Sequence, residues 1–230
     1  MPPCRHTPSP NFDNRGAASI DILLFHYTGM ATAEEALARL CDPAAKVSAH
    51  YFIGLDGTVH QLVDEDKRAW HAGESYWAGV RDINSRSVGV EIVNPGHNWG
   101  YTEFPRDQIE SVLKISLEII KRHNIPATRV LAHSDVAPTR RQDPGERFPW
   151  AYLAAAGIGW FGAMGEKTTP EMTIGHYLSR IGYDVTYIQE AVTAFQRHYC
   201  PHLIGTEEEG RAGLTTLRIA RALSLEVSPS

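Results

Sequence analysis

Long apolar runs are missing from this 230-residue chain: no window approaches the about 18 uninterrupted apolar residues that a membrane-spanning helix requires. The opening residues, MPPCRHTPSPNFDNRG, also lack the apolar stretch of a secretory signal. No membrane insertion is expected, and the sequence as written points to the cytoplasm, with the periplasm as the alternative. Cysteine is scarce. Cys4, Cys41 and Cys200 are odd in number and widely separated, which excludes a disulfide framework and a closely spaced metal knuckle and leaves free thiols suited to a reducing compartment. Positive charge is not in excess either: 22 Lys and Arg face 27 Asp and Glu, a formal net charge of -5. A nucleic-acid partner is therefore not expected. There is no internal repeat or low-complexity tract.

What is present is the texture of a globular chain. A hydrophobic content of 43% supports one core of about 150 residues and a small second module. The run IDILLFH (20–26) lies between Gly16-Ala17 and Thr28-Gly29 and predicts a buried strand ending at His26. TAEEALARLCD predicts a helix, with Thr32 and Glu35 spaced as a capping box. SAHYFIGLDGTVHQLV predicts two strands joined at Asp56-Gly57, a dipeptide that tolerates the positive φ of a tight hairpin. In SVGVEIVN, Val88, Val90 and Ile92 face one way and Gly89 and Glu91 the other. RDQIESVLKISLEIIKRHN is a periodic helix closed by Asn124 and Pro126, and RVLAH is a further short strand delivering His133.

Strands alternating with helices predict an α/β fold with a central mixed β-sheet flanked by helices. After Trp150 a Gly- and Ala-rich stretch predicts a terminal helix running into a linker, and three amphipathic segments follow, EMTIGHYLSRIG, TYIQEAVTAFQRHY and RAGLTTLRIARALSL. The expected division is an α/β domain at 1–160, a linker at 161–170 and a small three-helix module at 171–230.

Position singles out a few polar residues. His26 and His133 each end a short apolar strand, where side chains project from a sheet edge into a common cleft. Together with Asp143 they make two imidazoles and a carboxylate, a set that zinc accepts while leaving a fourth position for water. Asp143 precedes Pro144-Gly145, so capping a turn is the other use for its carboxylate. Glu91 lies between two apolar neighbours on a strand. It is either on a solvated sheet face or a general base tuned by a cleft and a nearby cation.

The ordered series LLFHYTG, SAHYFIGLDGTVHQLV, AWHAGESYW, NSRSVGVEIVN, LAHSDVAPTRRQDPG and FPW resembles the zinc-dependent N-acetylmuramoyl-L-alanine amidases of the type-2 amidase family over about residues 8 to 150. These share a fold with phage lysozyme-like amidases and peptidoglycan recognition proteins. The resemblance implies Zn2+ held by His26, His133 and Asp143, Glu91 as the acidic catalytic residue, and cleavage of the amide between the lactyl group of N-acetylmuramic acid and L-alanine in a muropeptide or peptidoglycan fragment. A non-catalytic muropeptide-binding protein on the same fold is the alternative.

The family usually carries Lys two residues before the Asp ligand, where this chain has Arg141. An Arg holds its proton at any working pH, so it would stabilise an oxyanion without donating a proton; Arg140 is the other candidate to point inward. Tyr27, His71 and Asn84 are expected to contact substrate. Trp70, Tyr76 and Trp77 either line a groove or fill the core. AVTAFQRHYCP resembles the peptidoglycan-binding module often attached to such amidases, the alternative being a helical appendage that stabilises the catalytic domain. The oligomeric state is not legible.

Overall fold

A computed structural model describes residues 4–162 and 171–227. Most of the expected linker, residues 163–170, and the last three residues of the expected module lie outside the described residues. The chain order is β1 (Cys4–His6), β2 (Phe12–Asn14), β3 (Ile22–Tyr27), α1 (Ala33–Cys41), β4 (Tyr51–Ile53), β5 (Val59–Gln61), β6 (Lys67–Ala69), α2 (Ile83–Arg86), β7 (Ser87–Ile92), α3 (Arg106–His123), β8 (Val130–Ala132), α4 (His133–Val136), α5 (Trp150–Ala155), α6 (Ile174–Ile181), α7 (Ile188–Tyr199) and α8 (Leu214–Glu226).

Local chemistry accounts for the element ends. The Thr32 side chain accepts from Glu35 N at 3.2 Å and starts α1. Asn124, left-handed at φ 54, stops α3, a conformation Asn tolerates better than most residues. In the β4–β5 turn, Asp56 Oδ1 accepts from Thr58 N at 2.9 Å, and Gly57 adopts φ 78.

Six strands form one mixed sheet in the order β1-β5-β4-β7-β3-β8. β4, β7, β3 and β8 run parallel, β5 is antiparallel to β4, and β2 and β6 pair apart from them. The expected mixed sheet flanked by helices is the fold observed. The N-terminal β1, exposed and paired parallel to β5, was not expected from a segment so rich in Pro and polar residues.

Side-chain alternation divides the sheet into two chemically different faces. Leu23, Phe25, Val88, Val90 and Ile92 pack under Ile109, Val112, Ile115 and Ile119 of α3. On the other face, Ile22, Leu24 and Leu131 pack with Trp77 and Ile83 and with Leu178, Ile181, Phe195 and Leu223 of α6, α7 and α8. One hydrophobic cluster thus joins the sheet to the C-terminal helices. Elsewhere on that second face, α1 covers Phe52 with Ala36 and Leu40. Between α1 and the C-terminal helices, the carboxyl ends of β7 and β3 are left for polar side chains, the usual location of a binding crevice in such sheets.

Candidate active site

Strand register explains why three distant residues meet. His26 on β3 pairs with Glu91 on β7, and Phe25 pairs with Ala132 at the end of β8. Continuing the register by one residue brings His133 beside His26, so His133, His26 and Glu91 form a row on one face. His133 itself opens α4 rather than ending the strand, because Asp135 Oδ2 accepts from Ala132 N at 2.8 Å and turns the chain there. The loop after α4 then returns Asp143 to the same place. A cavity of about 510 Å³ opens here, lined among others by Tyr27, Arg39, Trp70, Glu91, Arg141 and Asp143.

His26, His133 and Asp143 are buried, with ligand atoms all within 4.8 Å of one another. His26 Nδ1 lies 2.9 Å from His133 Nδ1 and 3.1 Å from Asp143 Oδ2; His133 Nδ1 lies 2.9 Å from the same oxygen. The outer nitrogens fix the tautomers. His133 Nε2 has the carbonyl of Ala72 at 3.0 Å and must donate to it. His26 Nε2 faces His71 Nδ1 at 3.0 Å, His71 Nε2 faces Ser87 Oγ at 3.2 Å, and that hydroxyl donates to Ile83 O at 2.7 Å. The donor chain runs in one direction only, from His26 through His71 and Ser87 to the carbonyl. It leaves both Nδ1 atoms as lone pairs, pointing with Asp143 Oδ2 at one another. Three electron-rich atoms at this spacing without a proton between them could hold a cation. Burial, helped by the nearness of His133, lowers the His26 pKa to about 4, so the imidazole is neutral and ready to ligate. Burial alone would raise the Asp143 pKa; a proton on His133 or His26 opposes this and keeps the carboxylate ionised.

Glu91 is half-buried at the cavity wall, but its Oε2 is shielded and has no hydrogen-bond partner among the described residues. Burial raises its pKa well above the ordinary value, Asp143 adds to the rise, and Arg141 opposes it. A proton-avid carboxylate facing a cavity is the environment of a general acid–base. Of the two arginines, Arg140 is committed elsewhere: its Nε donates to Glu74 O at 2.7 Å and its Nη2 to Ala72 O. Both arginines line the cavity, but no hydrogen bond or ion pair ties the Arg141 side chain among the described residues.

The other sequence-derived candidates separate. Tyr27 lines the cavity, and its hydroxyl is 2.9 Å from His97 Nδ1; burial, with Asp143 nearby, pushes its pKa up to about 12. His71 is buried behind His26 and also lines the cavity. Asn84 does not line the cavity: its Oδ1 accepts from His71 N at 3.1 Å and Ala72 N at 2.8 Å, clamping the segment on which both imidazoles lean. Trp70 lines the cavity, Trp77 is core against Tyr183, and Tyr76 sits under Arg81. Sequence reasoning missed His97, which lines the cavity, and Glu146, which meets it at 3.2 Å; the only hint was His97's position in the loop just after the strand that carries Glu91.

Gly89 makes room for this arrangement. A Cβ there would lie 2.5 Å from the His71 ring. Gly89→Ala is expected to cost about 1–3 kcal/mol in denaturant unfolding, as overpacking does, and to loosen metal binding by displacing His71. Unchanged stability and metal affinity would show that His71 does not support His26.

The chain is similar to known proteins in sequence and in fold. The profile of the N-acetylmuramoyl-L-alanine amidase family matches residues 16–146. The N-acetylmuramoyl-L-alanine amidase AmiD of Escherichia coli (strain K12) is 34% identical over 89% of this chain and 82% of its own length. The 1,6-anhydro-N-acetylmuramyl-L-alanine amidase AmpD of Enterobacter cloacae is 33% identical over 66% of this chain and 88% of its own length. The solved structure of E. coli AmiD in complex with the substrate anhydro-N-acetylmuramic acid-L-Ala-D-gamma-Glu-L-Lys is similar with a TM-score of 0.80 at 32% identity, covering 92% of this chain and 91% of that chain.

Proposed function

This chain belongs to the N-acetylmuramoyl-L-alanine amidase family, and from that premise we propose that it hydrolyses the lactyl–L-alanine amide of muramyl peptides with a zinc ion held by His26, His133 and Asp143 and with Glu91 as general acid–base. The observation that carries the metal reading is the convergence of the two Nδ1 lone pairs and Asp143 Oδ2, each within 3.1 Å of the others. Bound zinc would supply Lewis acidity at the scissile carbonyl and an acidified water.

The protein's own residues do the rest. Glu91, whose Oε2 has no competing partner, accepts the proton of the attacking water and passes it to the L-alanine nitrogen, so that the amine leaves neutral. Arg141, permanently charged and without an ion-pair partner among the described residues, meets the negative charge that develops on the carbonyl oxygen. His71 and the Ala72 carbonyl keep the two ligand imidazoles in the tautomer that presents Nδ1. Tyr27 and His97 wall the cavity beside His26. The relatives' substrates favour anhydro-muramyl peptides as the fragments accepted. Among the described residues no helix is long and apolar enough to cross a membrane.

The test is incubation of the purified chain, with and without zinc, with an anhydro-muramyl tripeptide and with intact sacculi, followed by mass spectrometry. Release of the free stem peptide from the muramyl sugar, dependent on about one zinc per chain, is the expected result. Binding of the fragment by zinc-loaded protein with no cleavage would replace the enzyme reading by that of a binding protein.

A further inference from the structure

The loop from His133 to Glu146 carries two of the proposed ligands and Arg141, and the C-terminal helices hold it at both ends. At its start, Asp135 is fully buried, and a buried carboxylate is tolerated only when its oxygens are satisfied. One bond comes from within the turn, from Ala132 N to Oδ2. The other two come from the C-terminal segment: His198 Nδ1 lies 2.7 Å from Oδ2, and the Tyr183 hydroxyl donates to Oδ1 at 2.6 Å. The His198 ring is fixed in turn, stacked between Trp150 at 3.6 Å and Tyr199 at 3.8 Å. At the loop's far end, Glu146 forms an ion pair with the buried Arg197 at 3.4 Å. On its other side Glu146 meets His97, which holds Tyr27, the neighbour of His26.

We infer that the last turn of α7, through Arg197 and His198 and with Tyr183 beside it, is a positioning device for the metal-ligand loop. The inference rests on the metal reading of His26, His133 and Asp143. Asp135 is two residues beyond His133, and Glu146 is three beyond Asp143, so a shift at either anchor moves a ligand directly. Partners outside the ligand shell set ligand orientation and affinity in this way. Arg197 and His198 belong to the stretch that resembles a peptidoglycan-binding module, yet both are buried against the catalytic loop and neither is available to a cell-wall ligand. That stretch therefore has a task inside the enzyme.

The experiment uses the full-length chain and measures zinc affinity by chelator competition, the visible spectrum of the cobalt-substituted protein, and melting temperature. His198→Phe keeps a ring between Trp150 and Tyr199 but removes the donor to Asp135; His198→Asn places an amide nitrogen where Nδ1 stood. The expected result is zinc affinity about 10-fold or more weaker with a changed cobalt spectrum in His198→Phe, and recovery of both in His198→Asn. Tyr183→Phe, a conservative change that removes only a hydroxyl, is expected to weaken zinc in the same direction. Leu223→Ala, in the core of α8, is expected to lower the melting temperature and leave zinc affinity unchanged. Parent-like zinc affinity in both His198→Phe and Tyr183→Phe would overturn the inference. So would losses of affinity that merely follow melting temperature across all variants, Leu223→Ala included. A parent chain that takes up no zinc would overturn the metal reading itself, and this inference with it.

Discussion

Glu91→Gln is expected to lower kcat by about 10²–10⁴, the range ascribed to a positioned general acid–base, while the chain still takes up its metal. The substitution preserves size and costs no hydrogen bond, since Glu91 Oε2 has no partner. It removes only the ability to carry a proton. Stability should move the other way from activity. In the unfolded chain Glu91 titrates near its reference value of about 4.3, whereas burial raises it well above that in the fold. Between those two values the native state holds a proton that the unfolded state has released, so Glu91 makes the metal-free protein less stable as pH rises. Gln cannot ionise. The metal-free variant should melt above the parent at about pH 8, and the difference should vanish by about pH 4, where both side chains are neutral. A variant that keeps parental turnover, or one that loses its metal, would remove Glu91 from the proposed role.

Much of the site was legible because strand alternation and register are properties of sequence. The pattern Val88, Val90, Ile92 against Gly89, Glu91 gives the face of Glu91, and the matching apolar run ending at His26 places a second polar group on the same face in the neighbouring strand. What could not be read was anything depending on how loops return. Asn84 looked like a substrate contact because it precedes the strand that carries Glu91, but it serves as acceptor for two backbone N–H groups; nothing in an Asn's identity tells which backbone will approach it. The meeting of His97 with Glu146 and of His198 with Asp135 joins residues 49 and 63 positions apart, across loops with no periodic signal. The amphipathic pattern of α6, α7 and α8 predicted the helices and an apolar face for each. It could not say that the face would close over Ile22, Leu24 and Leu131 of the sheet, because an apolar stripe names no partner.

Asp143→Asn is expected to abolish tight zinc uptake and with it all but background hydrolysis, and the way it does so separates the two uses the sequence left open for this residue. Asn retains the size of Asp and its capacity to accept a hydrogen bond in a turn, so a carboxylate that merely caps the Pro144-Gly145 turn would be replaced at little cost. At the ligand position the change is drastic. The negative charge that draws a cation between the imidazoles is lost, and the new amide nitrogen can donate to His26 Nδ1 and His133 Nδ1, the two lone pairs that face Asp143 Oδ2 at 3.1 and 2.9 Å. The variant would satisfy with its own protons the atoms that otherwise await a metal. Zinc binding to the native state alone stabilises a protein by about 4 kcal/mol at 1,000 times its Kd, so the parent's melting temperature should climb with added zinc and that of Asp143→Asn should stay flat. The metal-free variant should melt no lower than the metal-free parent, since the buried donors and acceptors of the trio are now paired. If Asp143→Asn instead takes up one zinc per chain and is stabilised by it as the parent is, Asp143 is a turn residue and the ligand set must be sought among the other groups that line the cavity.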